Sequence, residues 1–161
     1  MELNPQNDTL IFFYKELLTS TYCDEIITKK ALNELLNKIS KKQVKDLIGF
    51  IINDNSKLME QYELLLSQKE KLQKSNVQST LHSIINNMNT FLDKKNDGIT
   101  LLYGIVFFLQ QIIHHNIAIY ESIVRLSKKI NNHEGSKVFR LHLDNIYEND
   151  EKLLILAYQL E

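Results

Sequence analysis

Four glycines and a single proline are spread over 161 residues, and the proline, Pro5, precedes all of the periodic sequence. Gly and Pro are the strongest local punctuation a chain has, so its middle holds almost nothing to interrupt a long helix. Apolar residues recur at three- and four-residue spacing, the repeat of an amphipathic helix, and no stretch sustains the alternation of a half-buried strand. The expected class is all-α, a four-helix bundle, and a chain of this length can enclose one shared core as a single domain over 1–161.

Asn7 or Asp8 is placed to cap a first helix reaching about Ile39, after a flexible N-terminus at 1–8. Phe13, Tyr14, Leu17, Leu18, Leu32, Leu35 and Leu36 supply its apolar stripe. Ser40 and Gln43 have capping-box spacing, which predicts a second helix over 41–69 with a stripe of Val44, Leu47, Ile48, Ile51, Leu58, Tyr62 and Leu65. Ser75 and Gln78 repeat that spacing and open a shorter helix to about Asp93. The turn-forming stretches 94–98 and 131–135 each end in Gly, which tolerates positive φ, and delimit long helices at 99–130 and 136–160. A short helix between the second and third long ones suits a crossover along the bundle, which lets the third long helix run parallel to the second, as in ferritin-like proteins.

Charge removes several functions from consideration. Nineteen Lys plus Arg against twenty Asp plus Glu leave a net charge of −1, so no overall field draws nucleic acid or an anionic membrane to this chain. The polar start Met1 to Asp8 lacks the basic and apolar regions of a signal peptide. The most apolar stretch, Ile99 to Ile113, is interrupted by Thr100, Gln110 and Gln111 and is short for a hydrocarbon layer of roughly 30 Å. The single cysteine, Cys23, rules out a disulfide within the chain and suits a reducing compartment, so the expected location is the cytoplasm.

Residues seven apart lie within about 20° of one another on a helix, which gives a test for inward-facing polar residues. Glu25 shares a row with Leu18, Leu32 and Ile39. Asn55, beside Asp54, shares one with Ile48 and Tyr62. Asn116, next to His114 and His115, falls with Leu109, Ile123 and Ile130, and Asp150 falls with Leu143 and Ala157. Polar groups in a core cost several kcal/mol unless they are paired. Four polar notches at similar heights therefore imply a shared layer, either a metal site or a hydrogen-bonded network.

A carboxylate-bridged di-iron centre takes a Glu from each of two helices and a Glu-x-x-His pair from each of the others. Three residues beyond Asp54 stands Lys57, three beyond Asp150 stands Leu153, and Asn116 offers an amide. Glu25, Asp54, His114, Asn116 and Asp150 are thus degenerate core positions, and neither a bound metal nor another cofactor is expected. His82, His133 and His142 have no ligand spacing and read as surface or boundary residues. Cys23 reads as a buried or boundary thiol, since no activating His follows from its spacing. Lys128 and Lys129 complement a helix dipole, and with Lys41 and Lys42 they make no nucleic-acid stripe. Phosphate loops, Ser/His/Asp signatures and CxxC motifs do not occur.

Three strings carry a resemblance to the YciE/YciF-type family of bacterial stress-associated proteins, over roughly residues 9–158. They are Tyr22 to Glu25, where a Tyr precedes a Glu by three; His114-His115-Asn116-Ile117-Ala118-Ile119-Tyr120; and the acidic stretch Leu143 to Leu153. The resemblance implies a ferritin-like four-helix bundle with an extra helix, and a stress- or iron-linked ancestry. It also implies that Ile113, Asn116, Ile146 and Lys57 stand where relatives have acidic, His or Gln residues, while Asp54 keeps an acidic position.

The expected function is a non-enzymatic, stress-associated bundle that acts as a structural or interaction protein. Residues 101–109 are apolar nearly all round the helix, so that helix needs cover on more than one side, and a homodimer through 99–113 would supply it. The alternative is a di-metal oxidoreductase, with iron or manganese, built on an atypical ligand set. A weaker third reading is a groove that receives an apolar ligand or a partner helix.

Overall fold

The computed structural model describes residues 5–67, 80–94 and 98–159, and all its elements are helices. They are α1 (Pro5–Lys38), α2 (Lys42–Leu65), α3 (Thr80–Leu92), α4 (Gly98–Lys129) and α5 (His133–Tyr158). Helix α1 packs on α2, α2 on α5, α5 on α4 and α4 on α1, so the long helices close a ring; α3 lies outside it against α4 and α1.

Paired contacts give the directions. Asn55 meets Glu25 and Tyr62 meets Tyr22; Tyr120 meets Glu25 while Asn132 meets Tyr14. Helices α2 and α4 therefore both run antiparallel to α1, and so parallel to each other. His142 meets Asp54 while Lys152 lies over Phe50, which makes α5 antiparallel to α2.

Several helix ends differ from the sequence reading. Helix α1 already starts at Pro5, which suits a first turn where a missing N–H costs nothing, so Asp8 sits in that turn and is not its cap. The Ser40–Gln43 capping box is not formed: Lys41 is the N-cap of α2 and makes no side-chain cap bond. That helix ends at Leu65, short of 69, because Leu66 turns extended and tucks into the core at 4% exposure. The Ser75–Gln78 spacing falls outside the described residues.

The turn between α4 and α5 is a Schellman motif. Asn131 takes the left-handed conformation with φ 58°, Asn132 N donates to Ser127 O at 2.8 Å and Asn131 N to Lys128 O at 3.3 Å. Asn132 then caps α5 by accepting from Gly135 N at 2.9 Å. Gly135 is thus inside the helix and does not supply the positive φ. It is small because Tyr14 packs against it: a Cβ there would lie 2.2 Å from the Tyr14 hydroxyl. Gly104 has the same role between α3 and α4, where a Cβ would meet the Phe91 ring at 2.1 Å.

The core rows are those of long amphipathic helices. Leu18, Leu32, Leu35, Ile48, Leu58, Ile105, Leu109, Ile112 and Phe139 are almost fully buried. Phe13, placed by its spacing in the α1 stripe, is instead 54% exposed. Helix α4 is long and apolar enough to cross a membrane by length and composition, which the shorter stretch at 99–113 argues against. In the fold it is a core helix, in contact with α1, α3 and α5. Its Ile99, Tyr103 and Phe107, spaced by four, remain exposed along one stripe.

Candidate functional site

The polar residue at the centre of the bundle is Glu25. It follows Leu18 by seven and precedes Leu32 by seven, so α1 must turn it inward, and its exposure is 1%. Both carboxylate oxygens are engaged. Tyr120 of α4 donates its hydroxyl to Oε1, and Asn55 of α2 donates Nδ2 to Oε2 and to the Glu25 carbonyl at 3.2 Å. Burial pushes the Glu25 carboxyl up to about 7; the Tyr120 and Asn55 hydrogen bonds pull it back, and Asp24 and Asp54 add to the rise. Near neutrality the two protonation states are therefore both accessible. The Asn55 amide fits the charged state, since its Nδ2 donates to the carboxylate while its Oδ1 has no partner among the described residues.

Aromatic rings wall this group in. Tyr22, Tyr62, Phe139 and Tyr120 form a continuous row with successive centroid separations of 5.3, 5.8 and 5.4 Å, each pair edge to face. The buried hydroxyls of Tyr62 and Tyr120 are pushed well up, first by burial and then by the Glu25 charge. Their settings differ: Tyr120 has a carboxylate acceptor, whereas the Tyr62 hydroxyl makes no hydrogen bond of normal geometry among the described residues. The Thr21 hydroxyl that approaches it is donated to Leu17 O at 2.7 Å. Thr28, one turn beyond Glu25, is likewise buried, with no partner for its Oγ1 among the described residues.

The remaining acidic positions do not converge on Glu25. Asp54 is turned toward the α2–α5 seam, where its Oδ1 accepts from Asn145 Nδ2 at 2.6 Å and lies 3.2 Å from His142 Nδ1. Lys57 is exposed and shares with Asp54, Asn145 and Asn149 the lining of a groove of about 330 Å³. His114 and Asp150 pair at 3.1 Å across the outer face of α4 and α5, with the His side chain 55% exposed. His115 instead faces α1, 4.0 Å from Asp24, and its partial burial holds its pKa below the usual imidazole value against the pull of that carboxylate. Asn116 is buried, and so are Ile113 and Ile146.

Two sequence expectations change here. His142, read as a surface or boundary residue, is 2% exposed. On α5 the inward polar residue next to Asp150 is Asn149, at 6% exposure, while Asp150 stays half-buried. The signal was present in another row of seven: Gly135, His142, Asn149 and Leu156 are all buried, whereas the row through Leu143, Asp150 and Ala157 drifts to the edge. The row Val106, Ile113, Tyr120 and Ser127 would likewise have identified Tyr120 as the partner of Glu25.

As a metal site the arrangement is a poor fit. A cation at Glu25 would have to displace two protein donors, and among the described residues no three His, Cys, Asp or Glu side chains gather at one point. Chemically, the centre is a proton-binding carboxyl held between a phenol and an amide.

A family model described as a domain of unknown function, DUF892, matches residues 10–160. The crystal structure of the Escherichia coli stress protein YciF is similar with a TM-score of 0.86 at 17% identity, over 94% of this chain and 96% of that one. YcfI of Rhodopseudomonas palustris, provisionally described as a structural protein, is similar with a TM-score of 0.80 at 18% identity, over 94% and 97%. No curated protein matches the sequence. At these identities the likeness to solved structures carries the fold.

Proposed function

The chain belongs to the DUF892 family, that of the YciE/YciF-type proteins, and on this premise we propose that it is a non-enzymatic, stress-associated bundle of ferritin-like architecture. It acts in the cytoplasm as a structural or interaction protein and pairs with a second copy of itself. The parallel course of α2 and α4, with α3 in the connection between them, supports the ferritin-like architecture. The names of the E. coli and R. palustris proteins, a stress protein and a structural one, lend weight to the role.

The observation that carries the non-enzymatic reading is the engagement of the carboxylates. Glu25 holds Tyr120 and Asn55, Asp54 holds Asn145, and Asp150 faces His114 on the outside. Each is satisfied inside the chain, as a structural polar layer requires. Lys57 adds an ammonium beside Asp54, where it would repel a bound cation. The di-metal alternative, with iron or manganese, rests on the burial of Glu25 and on the unpartnered Asn55 Oδ1. Metal analysis of untagged protein from iron- and manganese-supplemented cells separates the two. Less than one metal per chain, unchanged in Glu25→Ala, is the expected result; stoichiometric metal lost in that variant would overturn the reading.

The pairing is supported by the stripe Ile99, Tyr103 and Phe107, on the part of α4 that needs cover. Light scattering at micromolar concentration should give a dimer mass, and Phe107→Asp should give a monomer. A monomeric parent protein would remove the dimer from the proposal.

A further inference from the structure

The buried phenols are chemically unequal, and the structural role leaves that inequality unused. One-electron oxidation turns a phenol into a strong acid, so a tyrosine inside a protein is readily oxidised only where its proton has somewhere to go. At Tyr62 the hydroxyl has only the neutral Thr21 hydroxyl near it and, among the described residues, no basic group to take its proton, so a charge created there would sit unpaired in the core. At Tyr120 the hydroxyl already donates to Glu25 Oε1, so the proton moves along an existing hydrogen bond. Between them lies Phe139, in edge contact with both, and Tyr22 continues the row from Tyr62 to a half-buried position on α1. Centroid steps under 6 Å make this row a route along which an oxidising equivalent reaches the interior.

We propose that Tyr120 and Glu25 form a proton-coupled redox pair, fed through the row Tyr22–Tyr62–Phe139, that takes up the oxidising equivalent of a one-electron oxidant such as an organic peroxyl radical. In the step, one electron leaves the Tyr120 ring and reduces the peroxyl radical to its hydroperoxide anion. The Tyr120 O–H bond breaks, its proton binds Glu25 Oε1, and the products are a neutral phenoxyl radical and a neutral carboxylic acid. The electron tunnels outward across the contacting rings of Phe139 and Tyr62, neither of which is itself oxidised. This goes beyond the structural reading and does not depend on it, because no metal and no second subunit enters the step.

Flash-quench oxidation of the full chain with photogenerated ruthenium(III) tris-bipyridine, followed by electron paramagnetic resonance, tests the pair. A persistent neutral tyrosyl signal is expected. Tyr120→Phe and Glu25→Gln should each lower it by about tenfold or more, the factor that one unit of proton affinity represents. Tyr147→Phe, which removes the exposed phenol hydrogen-bonded to Glu121 at 2.7 Å, should leave it unchanged. Because a core substitution can unfold the protein, 3-fluorotyrosine at position 120 gives a second reading that keeps the ring and hydroxyl. Fluorine splitting in the signal supports the assignment. A signal without it, or one retained in a folded Glu25→Gln variant, overturns the proposal.

Discussion

Two acid groups lie near the middle of the bundle, in helices of similar composition, and they have opposite fates. Glu25 is sealed in the core between a phenol, an amide and an aromatic row; Asp150 sits at the α4–α5 edge and meets an exposed imidazole. The first is in a low-dielectric setting where a charge is expensive and every partner matters. The second is in water-screened surroundings where an ion pair contributes little. Burial, more than residue type, decides which polar position can have consequences for stability or chemistry.

The contrast can be broken most severely at the wall of the buried cluster. Phe139 is fully buried and touches both Tyr62 and Tyr120, so Phe139→Ala should cost about 3–5 kcal/mol in urea unfolding, the range for removing a core aromatic. A loss below about 1 kcal/mol would mean the wall is not packed as described.

Protonation of Glu25 has the next largest effect. Folded Glu25 holds its proton to about pH 7, against an ordinary value of 4.5 for the unfolded chain. Its contribution to stability is therefore complete below pH 4.5, declines as pH rises through that window, and is flat above pH 7. A shift of this size corresponds to about 3 kcal/mol. Glu25→Gln should remove that decline, so that the variant gains on the parent protein as pH rises from 5 to 8. Denaturant melts at a series of pH values read the difference, and parallel curves for parent and variant would contradict it.

Tyr120→Phe deletes one donor and leaves the carboxylate short of a partner, with an expected loss of about 1–3 kcal/mol at pH 8. The loss should shrink at pH 5, where Glu25 is neutral. Smallest of all should be the exposed pair: His114→Ala should change stability by less than about 0.5 kcal/mol, with a further drop in 1 M salt. If it costs as much as Tyr120→Phe, the distinction between the two regions fails.

Much of this was legible in the sequence, and the misses have physical causes. The helical class follows from period and from the scarcity of Gly and Pro, which act within a few residues and need no partner. Glu25 and Asn55 were recognisable as inward because their rows of seven are otherwise apolar. His142 and Asn149 were missed because a helix drifts by about 20° per heptad, so two adjacent rows on α5 look alike until α2 shows which one it covers. Gly135 was recognised as special for the wrong reason: its role is close approach to Tyr14, more than 100 positions away, and local sequence contains no trace of that contact.

By itself, then, the sequence determined the number and kind of the long elements, the row that buries Glu25 and the apolar excess on α4, because these depend on interactions between near neighbours along one helix. Tertiary structure alone decided that Tyr120 and Asn55 meet at Glu25, that Asp54 turns to His142 and Asn145, and that Asp150 is left at the edge. Those pairings depend on the rotation and height of each helix against its neighbours. That register is set by packing the whole core at once, a property no single helix carries.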